Sequence, residues 1–250
     1  MTTKQQFLTL ALATGFAVGA SGQTVTKVAA SNATIRSGGD TGTPWFHNAQ
    51  VPGAGFESYA VSSFSFSAAD FGLATLSGVS VVTISYMQSN AFFTSDGPIE
   101  LFVSFDATVA SGNYTGLTHS GTGAGLDDNQ FSDSPSTQSL GTGTFTEVSD
   151  GHVDTYTLDF TGTMETNLVN AINSGSSFSL ILGAPSGSTA ATYAGIQSFD
   201  YASNGNPTTG QEPDSKLTTL SITAVPEPGF YAAIFGLLAL GLAMVRRSRA

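Results

Sequence analysis

The chain has 250 residues, 40% of them hydrophobic and 10% charged, with 29 Gly, no Cys and a formal net charge of −11. That hydrophobic share supports a packed core and argues against general disorder, and the missing cysteine excludes thiol nucleophiles, thiolate zinc sites and disulfide staples. Between Gln23 and Val225 only Lys27, Arg36 and Lys216 are basic, against 17 acidic residues, so this stretch repels phosphate backbones and nucleic acid is excluded as a partner.

The first segment reads as an address. Lys4 precedes an apolar run, Phe7-Leu-Thr-Leu-Ala-Leu-Ala-Thr-Gly-Phe-Ala-Val18, and small residues follow at Gly19-Ala20-Ser21-Gly22. This is the plan of a secretory signal peptide over residues 1–22, with cleavage after Ala20 or after Gly22.

Residues 23–224 read as one β-sandwich domain. Period-2 alternation runs through Val61–Phe66, Val82–Tyr86, Ile99–Phe105, Tyr156–Phe160, Phe178–Leu182 and Leu220–Ile222, which predicts strands with one face on a core and the other on water. In the third run Ile99, Leu101, Val103 and Phe105 point inward, while Glu100, Ser104 and Asp106 face away. Gly, Ser, Asn and Asp clusters separate the runs as turns. Met164, Leu168 and Ile172 fall at i, i+4 and i+8 before Ser174-Gly175, so one short helix is expected there, packed across an end of the sandwich. The fold class is therefore all-β, a jelly-roll-like two-sheet sandwich with one short helix.

Few residues in this body point to chemistry. His47, His119 and His152 have no metal-ligand spacing and read as loop or surface residues. No G-x-S-x-G elbow occurs, and Gly121–Gly125 lacks the G-x-G-x-x-G spacing of a dinucleotide cradle. Asp127, Asp128, Asn129 and Asp133 form a candidate calcium cluster, since carboxylate and amide oxygens suit that ion. Phe131 and Ser132 break the EF-hand pattern, and a solvated acidic loop is the other reading. Trp45-Phe46 and Phe92-Phe93 break the strand alternation and are the candidate sugar-stacking pairs, whereas Tyr59, Tyr86 and Tyr193 fit a core. No catalytic residue and no obligatory cofactor are assigned.

The last segment, residues 225–250, has three parts. Val225-Pro226-Glu227-Pro228 comes first, an uncharged stretch from Gly229 to Val245 second, and Arg246-Arg247-Ser248-Arg249-Ala250 third. Seventeen residues of helix reach about 25 Å, the lower limit for a bilayer core, so a single transmembrane helix is expected. Arg246, Arg247 and Arg249 belong on the cytoplasmic side and act as the basic stop. Pro226 and Pro228 keep their motif extended just outside the membrane.

Pro226-Glu227-Pro228, the apolar span and the arginine-rich end together resemble the PEP-CTERM sorting signal of Gram-negative bacteria. The resemblance implies recognition by an exosortase, a membrane-embedded transpeptidase-like enzyme, in organisms that often make exopolysaccharide. The order of features from Tyr156 to Ala224 is also similar to carbohydrate-binding-module-like jelly rolls of bacterial surface proteins, including the DNRLRE type. None of those modules' ligand residues matches a position here, so no site is carried over.

The reading is thus a non-enzymatic exported protein, held first as a membrane-anchored precursor and then delivered to the outer envelope or extracellular matrix. Its expected partners are an exosortase-like enzyme, the membrane through the C-terminal span, and extracellular polysaccharide. The alternatives are a polysaccharide-binding module, with or without calcium, and a secreted hydrolase built from scattered carboxylates.

Overall fold

The structure, a computed structural model, describes residues 22–36, 46–50, 58–89, 94–105, 137–149, 151–184, 189–195 and 218–225. Among these residues eleven strands, all paired antiparallel, build two sheets. In chain order they are β1 (Thr24–Val28), β2 (Ser31–Arg36), β3 (Phe46–Gln50), β4 (Ser58–Ser65), β5 (Gly78–Met87), β6 (Gly97–Ser104), β7 (Thr137–Phe145), β8 (Val153–Thr157), β9 (Ser177–Gly183), β10 (Ala190–Ala194) and β11 (Thr219–Val225). One sheet has the order β1-β11-β5-β8; the other runs β10-β3-β4-β9-β6-β7, with β2 paired to β4.

The inner faces meet in one core. Val82, Ile84 and Tyr86 of β5 and Leu220 and Ile222 of β11 oppose Phe64, Phe178, Leu180, Leu182, Leu101 and Val103, all nearly or fully buried. Alternation holds in β11, which alternates buried and half-buried positions up to the exposed Val225, and through most of β5, lapsing where Ser80 and Val81 are both exposed and Tyr86 and Met87 both buried. It fails in the larger sheet. Ser104, expected to face water, is buried, and so is Phe102 on the same face. Phe102 lies in register with Ile181, Val61 and Ala33 across β6, β9, β4 and β2, a second apolar cluster on the sheet's other face. A strand covered on both sides has no polar face to display.

A helix, α1 (Thr163–Ser174), buries Leu168, Ala171 and Ile172 against β5 and β9, at the place and on the face its sequence period predicts. It stops at Gly175, whose N–H donates to the Ile172 carbonyl at 3.1 Å while the Ser176 N–H donates to that of Ala171 at 2.8 Å. Asn173 fastens it to the chain before β5: Oδ1 accepts the Leu76 N–H at 2.7 Å and Nδ2 donates to the Leu76 carbonyl at 3.0 Å. The expected strand over Tyr156–Phe160 is shifted, because β8 ends at Thr157. Leu158 and Phe160 are buried, but in the segment that leaves the sheet toward α1.

β11 lies between β1 and β5, so the first and last strands are neighbours. Thr24 pairs with Thr223, and the Ala224 N–H donates to the Gln23 carbonyl at 2.9 Å. A Cβ on Gly22 would fall 2.1 Å from the Ala224 carbonyl oxygen, so only glycine permits this approach.

Candidate functional site

Three polar features stand out among the described residues. The first joins the two sheets. Asp154 of β8 points inward, and its Oδ2 accepts from the Tyr193 hydroxyl of β10 and from Gln88 Nε2, both at 2.9 Å. The Tyr156 and Tyr193 hydroxyls are 2.9 Å apart, and Tyr156 also reaches the Thr144 carbonyl at 3.3 Å. Gln88 completes the clamp, donating to the Thr146 carbonyl at 2.8 Å and accepting the Val148 N–H at 2.9 Å. Tyr86 stacks on Tyr193 with ring centroids 4.8 Å apart. Burial pushes the Tyr156 phenol up to about 12 and raises Tyr193 and Tyr86 further, so these hydroxyls stay protonated, and that of Tyr193 donates to Asp154. His152 Nε2 sits 3.4 Å from Asp154 Oδ1 at the exposed rim. A satisfied buried network of this kind fixes register between sheets.

The second feature is His47. It is fully buried on β3, not in a loop or on the surface as its sequence surroundings imply. Its Nδ1 lies 3.3 Å from Ser62 Oγ, and its ring centroid lies 5.9 Å from that of Tyr86. Nε2 has no hydrogen-bond partner among the described residues. Desolvation lowers its pKa to about 3, so the imidazole is neutral at physiological pH.

The third feature is open to solvent. Where β8 parts from β5, a cleft of about 480 Å³ opens between Val79–Val82, Thr157–Thr161 and Glu165 of α1. Glu165 Oε1 accepts the Val79 N–H at 3.3 Å, which places that carboxylate on the cleft wall. Asp159 lines the same cleft and is exposed. Val81, 48% exposed, supplies an apolar patch.

This cleft continues onto the outer face of the four-stranded sheet. Thr26, Ser221, Thr83 and Thr157 stand in register across β1, β11, β5 and β8, and Thr219, Ser85 and Thr155 form the next row. Neighbouring hydroxyls pair off: Thr24–Thr223 at 2.8 Å, Thr26–Ser221 at 2.7 Å and Ser85–Thr155 at 2.8 Å. Strand spacing sets about 4.8 Å between members of a row. The outward positions of these four strands hold only Thr, Ser, Val and Met, without charge or aromatic ring.

Most residues singled out from the sequence fall elsewhere. Asp127, Asp128, Asn129, Asp133, Trp45, Phe92, Phe93 and His119 lie outside the described residues, as do Pro226, Glu227, Pro228, Arg246, Arg247 and Arg249. Phe46 is described in its backbone alone, paired with Ala194. Tyr59, Tyr86 and Tyr193 are core residues, as expected. Among the described residues no group of three His, Cys, Asp or Glu is placed to hold a metal ion, and no helix is long and apolar enough to cross a membrane. The cleft was not foreseen, because its walls come from segments some 80 residues apart in sequence. The Thr-x-Thr spacings at Thr24–Thr26 and Thr155–Thr157 were the available signal for the hydroxyl face.

No protein-family model matches the chain. None of the curated proteins matches it in sequence either.

Proposed function

We propose that this chain is a non-enzymatic exported protein, sorted through a PEP-CTERM and exosortase-like system to the outer envelope or extracellular matrix. Residues 1–22 direct export, residues 229–245 hold the precursor in the membrane as a single transmembrane helix, and Pro226-Glu227-Pro228 is the sorting motif. We read the two antiparallel sheets as a jelly-roll-like module.

The observation that supports this best is how near to the motif the last paired strand runs. β11 ends at Val225, held between β1 and β5, and the Pro-Glu-Pro motif begins at the next residue. A motif directly after a pinned strand cannot be drawn into the sheet, because neither proline can extend a ladder. The first strand starts beside the last, so signal-peptide removal and tail removal would act at one end of the domain.

Fractionation of cells that carry the sorting enzyme tests the reading. The full precursor should sediment with membranes, and a chain truncated after Val225 should appear in the soluble exported fraction. If both chains are equally soluble, the anchor assignment fails.

A second reading, polysaccharide binding, is favoured by the cleft with two carboxylates beside an uncharged hydroxyl surface. It is compatible with a matrix location.

A further inference from the structure

We infer that the cleft at Val81, Asp159 and Glu165, continued by the hydroxyl rows of the four-stranded sheet, binds a neutral polysaccharide chain. The inference deepens the polysaccharide-binding reading of this cleft and rests on it and on the exported reading, since such polymers are met outside the cell.

Each element of the surface has a counterpart in a neutral sugar chain. The cleft, at about 480 Å³, falls within the ~300–1,000 Å³ of small-molecule sites and admits part of a chain rather than all of it. Two carboxylates, Asp159 and Glu165, line it, and an ionised carboxylate accepts hydrogen bonds only, which sugar hydroxyls can donate. Val81 gives the apolar face of a ring something to cover.

Beyond Thr157 the row Thr83, Ser221 and Thr26 leads away across the sheet. A hydroxyl both donates and accepts, so a row of them suits a polyol, whose own hydroxyls do the same. With ~4.8 Å between strands the row spans about 14 Å, the length of a few sugar units. Sheet twist turns successive strands by roughly 20–25°. A flexible polymer can follow that turn, and a flat crystalline surface cannot.

Charge selects the class of polymer. The sheet face carries none, the cleft carries two carboxylates, and the chain as a whole is at −11. Uronate, sulfate or phosphate groups would be repelled. Without an aromatic platform on this face each contact is weak, and retention depends on several subsites acting together.

Native electrophoresis of the full chain in a polyoxyethylene detergent, through gels carrying hydroxyethylcellulose, dextran or galactomannan, tests the inference. At least one neutral polymer should retard the protein, and carboxymethylcellulose should not. Asp159→Asn with Glu165→Gln should weaken retardation at least about tenfold, the effect of losing hydrogen bonds to a charged acceptor. Thr83→Val with Thr157→Val, which keeps β-branched shape, should weaken it as well. Asn170→Asp with Thr163→Asp on the exposed side of α1 controls for charge and should leave it unchanged.

Mobility unchanged in every neutral gel overturns the inference. Equal retardation by carboxymethylcellulose, or retardation indifferent to both the cleft and the sheet variants, overturns it too. Concentration-dependent self-association abolished by the Thr→Val pair would assign the face to a second copy of this chain. None of these results depends on whether the C-terminal tail is cut, so a failed site and failed sorting are told apart.

Discussion

The Tyr193 hydroxyl donates to Asp154 Oδ2 at 2.9 Å, a contact between two strands of different sheets that are 39 residues apart. Tyr193 is fully buried, so removing its hydroxyl takes a desolvated donor away from Asp154 Oδ2. Tyr193→Phe is expected to cost about 1–3 kcal/mol, because Asp154 and Tyr156 each lose a buried partner. Tyr156→Phe, at a half-buried residue, should cost less. The double variant should be less destabilised than the sum, since the two hydroxyls share one network. Urea unfolding of the four proteins measures this coupling; strict additivity would dissolve the network.

His47 makes stability depend on pH in a definite direction. Its folded pKa, about 3, lies below the ordinary 6.5, so between these values the unfolded chain binds the extra proton. Stability from this group is therefore complete above pH 6.5 and declines as pH falls toward 3, by up to about 1.4 kcal/mol per pH unit. The His47 ring resonances should stay flat from pH 8 to pH 5 in NMR. A His47 titration near 6.5 in the folded protein would contradict its burial as a neutral ring.

Gly143 on β7 is held by a neighbour rather than by its own conformation. A Cβ there would lie 2.7 Å from the Tyr156 ring, and that ring is tethered through its hydroxyl. Gly143→Ala should destabilise the protein by about 1–3 kcal/mol through overpacking. On a Tyr156→Leu background the same change should cost clearly less. Equal cost in both backgrounds would remove the ring as the cause.

Ile222 tests how far the last strand supports the rest. It is fully buried, and β11 pairs on both edges. Ile222→Ala is expected to cost about 2–5 kcal/mol, more than an exposed-face change such as Thr223→Ala on the same strand. Comparable losses at the two positions would mean that β11 contributes little core.

What the sequence reveals depends on how each strand is covered. β5, β9, β11 and α1 announce themselves, since large apolar residues recur at period 2 or at i, i+4, i+8. β7 does not: its Thr-Gln-Ser-Leu-Gly-Thr-Gly-Thr-Phe run has two large apolar residues, and Leu140 sits at a bulge. β1, β2, β3 and β10 are five or six residues each and rich in Thr, Ala and Asn, so composition hides them. His47 looked like a loop residue because its burial comes from partners distant in sequence, Ser62 and Tyr86. The cleft was equally hidden. Asp159 and Glu165 are two of 18 acidic residues, and only the parting of β8 from β5 sets them beside Val81.

Intact-mass spectrometry of the mature protein, isolated from a host that carries the sorting enzyme, tests the central claim most directly. The account predicts a chain that has lost Arg246–Ala250 at its C-terminal end. A mature chain that still ends in Arg246-Arg247-Ser248-Arg249-Ala250 contradicts it.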